Sequence, residues 1–213
     1  MKRVETFTDR FPLIGPLVWI LSVQYFLVQI LVGTKFMPTY SLRFNTISDL
    51  GNTACGVYSG RSVCSPWHNL MNFSLICLGI TMALGALFIY QEFKEKFASF
   101  IGFSFMAMAG FGTLMVGLFP ENSISWLHVL GASLPFLLGN IALIILGLAL
   151  AIPKLLRNYT LISGLIALIF LILFYTENYF GLGIGGIERF VAYPQTIWLI
   201  VFGIYMSKNH FTK

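Results

Sequence analysis

Residues 125–151 read SWLHVLGASLPFLLGNIALIILGLALA, with no aspartate, glutamate, lysine or arginine among them. Coiled as an α-helix at 1.5 Å per residue, the run extends about 40 Å, more than the ~30 Å hydrocarbon core of a bilayer. A helix of that length in water would show a polar stripe along one side. This one has no such stripe, and it reads as a membrane span.

Working outward, apolar stretches of similar length lie at 13–33, 67–90, 98–118, 159–176 and 190–207, giving six with the first. Strand-type alternation is absent, which excludes a β-barrel. The composition agrees: 57% of the 213 residues are hydrophobic, 10% are charged and the mean hydropathy is +0.83. Soluble domains carry about 25% charged residues, and one core of this size could not hide so much apolar surface. With neither repeat nor linker, residues 1–213 read as a single all-α domain, a six-transmembrane-helix bundle with a long extracytoplasmic loop, 34–66, after the first helix. Although Lys2, Arg3 and Arg10 precede the first run as in a secretory signal, no small-x-small cleavage site follows, and an uncleaved span is expected.

The net charge of +5 does not point to nucleic acid, because the basic residues cluster at the ends of apolar runs. There they act as topology signals and as anchors for anionic headgroups. Nine of them (Lys2, Arg3, Arg10, Lys94, Lys96, Lys154, Arg157, Lys208, Lys213) fall on one side, and four (Lys35, Arg43, Arg61, Arg189) on the other. Cytoplasmic termini and a cell-membrane location are expected. Cys55 and Cys64 then face the oxidising side, where the intervening glycines help the chain turn and a disulfide is permitted. Cys77, inside the second span, reads as a small buried apolar residue. Gly131, Gly139 and Gly147, eight residues apart, are expected to share a face of the fourth helix, and Gly110 and Gly117 one of the third, where backbones approach closely.

On this topology Glu5, Asp9, Glu92 and Glu95 lie among the cytoplasmic basic clusters, and His210 lies in the tail. Asp49, Glu121, Glu177 and Glu188 lie on the outer side, as do His68 and His128 at helix starts. Ionisable groups at the bilayer edge are costly unless paired, so Asp49, His68, Glu121, His128, Glu188 and Arg189 are functional candidates. The bland alternative is a structural network, with Glu121 capping the fourth helix and Arg189 paired to Glu121 or Asp49. His68 and Asn72 are one turn apart, Glu121 and His128 two turns, and Tyr193 lies one turn below Arg189.

Three chemistries suit such a set. His68, His128 and Glu121 would supply a catalytic zinc with three protein ligands, with Asp49 as base or behind the ligands. Ser65 with His68 and Asp49 would make a serine nucleophile, although no Gly-x-Ser-x-Gly elbow is present. In the third, His68, Asn72, Glu188, Arg189 and Tyr193 would hold a headgroup without chemistry. Two motifs mislead. Gly181-Leu-Gly183-Ile-Gly185-Gly186 has dinucleotide spacing but no preceding strand, and instead marks a flexible turn or a close backbone approach. Asn72-Phe-Ser74 matches a glycosylation acceptor but lies inside a span.

Asn45-Thr46-Ile47-Ser48-Asp49-Leu50-Gly51, Cys64-Ser65-Pro66-Trp67-His68-Asn69-Leu70-Met71-Asn72, Phe119-Pro120-Glu121, His128-x-x-Gly131-Ala132 and Glu188-Arg189 with Tyr193-Pro194 resemble a family of bacterial and archaeal membrane proteins, domain of unknown function 998. The Ile-Ser-Asp-x-Gly segment is also similar to the outer loop of the six-span Frag1/DRAM/Sfk1 group. That likeness implies the same architecture and a link to lipid homeostasis, although the cysteine loop replaces that group's proline- and glutamate-rich stretch. The resemblance names no reaction.

The leading expectation is an outward-facing pocket that recognises or acts on a lipid or lipid-linked headgroup, with membrane lipids as partners. A metal-assisted intramembrane hydrolase using Asp49, Glu121 and His128 is the alternative. A small transporter or an accessory subunit of a membrane complex is the third, disfavoured because the sequence shows no paired helix breaks.

Overall fold

The computed structural model describes residues 12–211 apart from Glu95, with only the backbone at His210 and Phe211. Lys2, Arg3, Glu5, Asp9, Arg10, Glu95, Lys213 and the His210 side chain, used above for topology, lie outside that description. The six long apolar helices are α1 (Ile14–Gly33), α2 (His68–Tyr90), α3 (Phe97–Leu118), α4 (Ser125–Ala149), α5 (Lys154–Tyr175) and α6 (Gly183–Phe211). Each is long and apolar enough to cross a bilayer, and the protein is a multi-pass helix bundle.

Two boundaries differ from expectation. α5 begins at Lys154 because Pro153 suits the position before a first turn and the following polar residues continue the helix. α6 begins at Gly183 and takes in Gly183, Gly185 and Gly186 as its first turn, while Gly181 lies in the turn before it.

Neighbour contacts run from α1 to α2, α3, α4, α5 and α6 in turn and back to α1, closing a ring. α1 and α6 meet through Trp19, whose ring stands edge-on to Trp198 and Phe202 at 5.2 and 5.8 Å. The Trp19 indole donates to the Met82 carbonyl at 3.1 Å, so this aromatic cluster also holds α2. α2 and α3 touch backbone to backbone: a methyl group added at Gly79 would lie 2.5 Å from the Gly110 carbonyl, and one at Gly110 2.6 Å from that of Gly79. Such contact replaces the hydrophobic drive that lipid does not supply.

The glycines of α4 do not share one face. Gly131 abuts α3, Gly139 meets the Gln195 amide of α6, and Gly147 meets Leu161 of α5. Eight residues advance a regular helix by more than two turns, and the π-helical segment Leu134–Gly139 shifts the phase further. Pro194 lies inside α6 next to Gln195, the residue that faces Gly139, so two helix irregularities meet near mid-span. The sequence reading missed this pairing because neither Pro135, in the π segment, nor Pro194 shows which backbone it faces.

The α1–α2 connection forms a roof over one end of the ring. Its parts are a 3-10 turn, Ser48–Gly51, and a hairpin of β1 (Gly56–Tyr58) with β2 (Arg61–Val63). The Cys55–Cys64 disulfide closes the hairpin. Ser59 and Gly60 both take positive φ, the turn geometry that matches strand twist.

Candidate functional site

Three clasps hold the roof to the helices, and they absorb most of the expected site residues. The first is built on Asp49, which has no exposed surface. Its carboxylate accepts from Asn45 Nδ2 at 3.0 Å and the Thr46 amide at 2.9 Å. Arg61 reaches over from the hairpin and grips it with two donors, Nε and Nη2, each at 2.9 Å. Nη2 also lies 3.4 Å from Glu121 Oε1. Burial alone would lower the Arg61 guanidinium, but the hydrogen bonds and negative charge of Asp49 hold it above its ordinary value. Burial raises the Glu121 carboxyl, with Arg61 opposing the rise and Asp49 adding to it.

The second clasp starts from Arg189, which pairs with neither Glu121 nor Asp49, contrary to the structural alternative considered above. Its Nη1 donates to the carbonyls of Leu42 and Asn45 in the roof, at 3.0 Å each, and to that of Gly185 at 2.6 Å. Nη2 donates to the Tyr40 hydroxyl, which in turn donates to the Thr46 carbonyl at 2.7 Å. Burial holds the Tyr40 phenol protonated far above its usual range, so it can serve in both directions. Glu188 turns the other way and accepts from the Ile47 amide at 2.5 Å. The glycines explain why the roof can come so close. The Gly185 amide donates to Arg43 O at 3.0 Å, and a methyl at Gly183 or Gly185 would lie 2.2 or 2.1 Å from roof carbonyls. The close-approach reading of this segment therefore holds.

The third clasp is the start of α2. Asn72 Nδ2 donates to Gly51 O at 2.9 Å, Ser65 Oγ to Leu50 O at 2.7 Å, and His68 Nδ1 faces the Ser65 carbonyl at 2.8 Å. With Ser65, His68 and Asp49 thus engaged elsewhere, they form no triad. Glu121 caps nothing, as α4 starts from Ile124 without a side-chain cap. Among the described residues no three His, Cys, Asp or Glu side chains are grouped to hold a metal ion, so His68, His128 and Glu121 do not assemble as ligands. His128 has both nitrogens engaged, Nδ1 with the Phe119 carbonyl at 2.8 Å and Nε2 with Ser48 Oγ at 2.9 Å.

Two spaces remain beside the clasps. A central cavity of about 50 Å³ lies under Ile47 and Ser48, walled by five of the six helices. Glu188 and Gln195 also line it, and Gln195 Oε1 is buried without a partner. A larger groove of about 410 Å³ runs between α1, the roof and α6, lined by Phe26, Gln29, Ile30, Tyr40, Leu42 and Tyr193 among others. There Tyr193 donates to Gln29 Oε1 at 2.9 Å, which leaves the Gln29 Nε2 donor buried and unpartnered.

The sequence reading missed Arg61, Ser48, Tyr40 and Gln29. Arg61 had one visible signal, a lone basic residue inside a cysteine loop twelve positions from Asp49. The other three are common residue types in unremarkable spacing.

No curated protein and no solved structure matches the chain. A family description, "Protein of unknown function (DUF998)", matches residues 20–205, a stretch that holds all three clasps and both spaces. The chain belongs to the DUF998 family.

Proposed function

We propose that this protein recognises an amphiphile, a lipid or lipid-linked headgroup, in the groove between α1, the roof and α6. The observation that supports this is the Gln29 amide donor, buried without a partner beside apolar walls. A headgroup oxygen would satisfy that donor, whose isolation costs about 1–3 kcal/mol. Ile30, on the same wall, is 68% exposed along a membrane-spanning helix, which suits a groove open sideways to acyl chains. Tyr193 keeps its expected binding role here, while His68, Asn72, Glu188 and Arg189 act at one remove by holding the roof. The nine-to-four split of basic residues and the disulfide support a cell-membrane protein with the roof outside and the termini inside. The likeness to the Frag1/DRAM/Sfk1 group supports the same lipid context.

The test is lipid analysis of protein purified in mild detergent, beside Gly33→Phe. A Cβ added at Gly33 would meet only the Tyr40 ring, at an ordinary 3.5 Å, and Gly33 lines the groove, so a phenylalanine there is chosen to occupy it. Wild type should retain about one tightly held lipid and the variant several-fold less; equal retention, or none in either, overturns the reading.

A second reading, a small transporter, is favoured by one observation: the π-helical segment of α4 facing Pro194 of α6 beside the central cavity. Irregular helices facing a cavity are how transporters build mid-membrane sites. Proteoliposomes loaded with a pH-sensitive dye should take up protons under an imposed potential faster than empty liposomes and lose this in Glu188→Gln. Identical rates in all three would dispose of it.

A further inference from the structure

Ser48 and His128 form a pair that the groove does not involve. Ser48 opens the 3-10 turn of the roof, and His128 sits one turn into α4, eighty residues later. His128 is 6% exposed, and its ring is fixed at both ends. The partner of Nδ1 is the Phe119 carbonyl, which can only accept, so Nδ1 carries the proton of the neutral ring. Nε2 is then a bare lone pair 2.9 Å from Ser48 Oγ, and the serine hydroxyl must be its donor. This tautomer leaves Nε2 able to take the Ser48 proton, as a nucleophile requires, and the Phe119 carbonyl holds the base in place as a third group. Ser48 also lines the central cavity, which places open space beside this residue.

We propose that Ser48 is a nucleophile with His128 as its general base, and that the pair removes a short, acetyl-sized acyl group from an ester. The size follows from the cavity. At about 50 Å³ it is a small space, with room for a few water-sized groups and none for a long acyl chain. Its walls are mostly aliphatic and aromatic, which suits a methyl group. In the first step Ser48 Oγ bonds to the ester carbonyl carbon while its proton passes to His128 Nε2. The bond from that carbon to the alcohol oxygen breaks, and the leaving alkoxide takes the proton from His128. Water then attacks the carbonyl carbon of acetyl-Ser48 and gives a proton to His128; the bond from that carbon to Ser48 Oγ breaks, Oγ takes the proton back from His128, and acetic acid is released. Ester and water become alcohol and acid, with no other reactant.

This proposal stands on the pair and the central cavity, and loss of the groove reading would leave it untouched. The experiment treats purified full-length protein with p-nitrophenyl acetate, and separately with methanesulfonyl fluoride, a reagent small enough for the cavity. Peptide mass spectrometry then compares Ser48 with Ser65, a buried serine on the same roof. The expected result is near-stoichiometric modification of Ser48 with Ser65 untouched, a matching burst of p-nitrophenol, no burst in Ser48→Ala, and at least a tenfold slower burst in His128→Gln. Absence of Ser48 modification in wild type overturns the proposal, as does an undiminished rate in a His128→Gln protein that melts at the wild-type temperature. Should that variant not fold, the wild-type contrast between Ser48 and Ser65 decides alone.

Discussion

The roof and the mid-span interior both contain buried polar groups, and they differ in how the most deeply buried ones are held. At the roof the two charged anchors are held by many partners: four donors converge on Asp49, and Arg189 reaches three carbonyls and a phenol, although Arg189 Nε, Glu121 Oε2 and the Asn52 amide are buried without one. Near mid-span, Gln195 Oε1 and Asn140 Oδ1 are buried with none. A saturated network spends its hydrogen-bonding capacity on holding shape and has little left to offer a ligand. An unsatisfied group keeps that capacity and bears the desolvation cost. Ionisable residues, the usual markers of function within a membrane, here mark mainly the fastening, while most of the open valences belong to amides.

The largest expected effect comes from breaking the saturated clasp at Asp49. Arg61→Ala leaves the Asp49 carboxylate buried without its counter-charge, which should destabilise the protein by about 3–5 kcal/mol. Thermal unfolding in detergent, followed with the disulfide intact, measures it; a loss below about 1 kcal/mol would mean the clasp is ornamental. Arg61→Lys should recover only part, because one ammonium cannot reproduce the two-pronged grip.

The matching substitution at mid-span should do far less. Gln195→Met removes a carbonyl that has no partner, so stability should shift by under about 1 kcal/mol, in either direction. A loss as large as that of Arg61→Ala would erase the contrast between the two regions.

The smallest effect concerns pH. The Glu121 carboxyl is raised in the folded protein, so folding favours its protonated form. Its stabilising contribution is complete below the unfolded value, about 4.3, and is lost as pH rises through the folded value. Melting temperature followed from pH 4 upward should therefore decline more in wild type than in Glu121→Gln. Parallel curves would show that Arg61 fully offsets the burial.

The bundle was legible in the sequence because lipid leaves a helix little choice: the length and apolarity of 125–151 suffice, and the cysteine loop closes as expected. The convergence of Asp49, Glu121, Glu188, Arg189, His68 and His128 on one end was legible too, since topology alone brings them there. Their partners were not. Which side chain Arg189 meets depends on how the roof lies across α6, and that rests on glycine contacts more than a hundred positions apart in the chain. Hydropathy carries no such information. The phase slip in α4 was hidden for a related reason, because a π segment is set by packing around Pro135 and leaves the composition of the run unchanged.

Ring closure between α1 and α6 bears on how the chain is made. Ribosomes deliver Asn45 and Tyr40 well before Arg189, which follows them by 144 and 149 positions. During synthesis the hairpin and its Asp49–Arg61 grip can form as soon as α2 emerges, but the far edge of the same loop must wait for the final helix. A nascent polypeptide halted after α5 would present a half-fastened cover to the translocation machinery, and quality control could read that loose edge as the mark of an unfinished product.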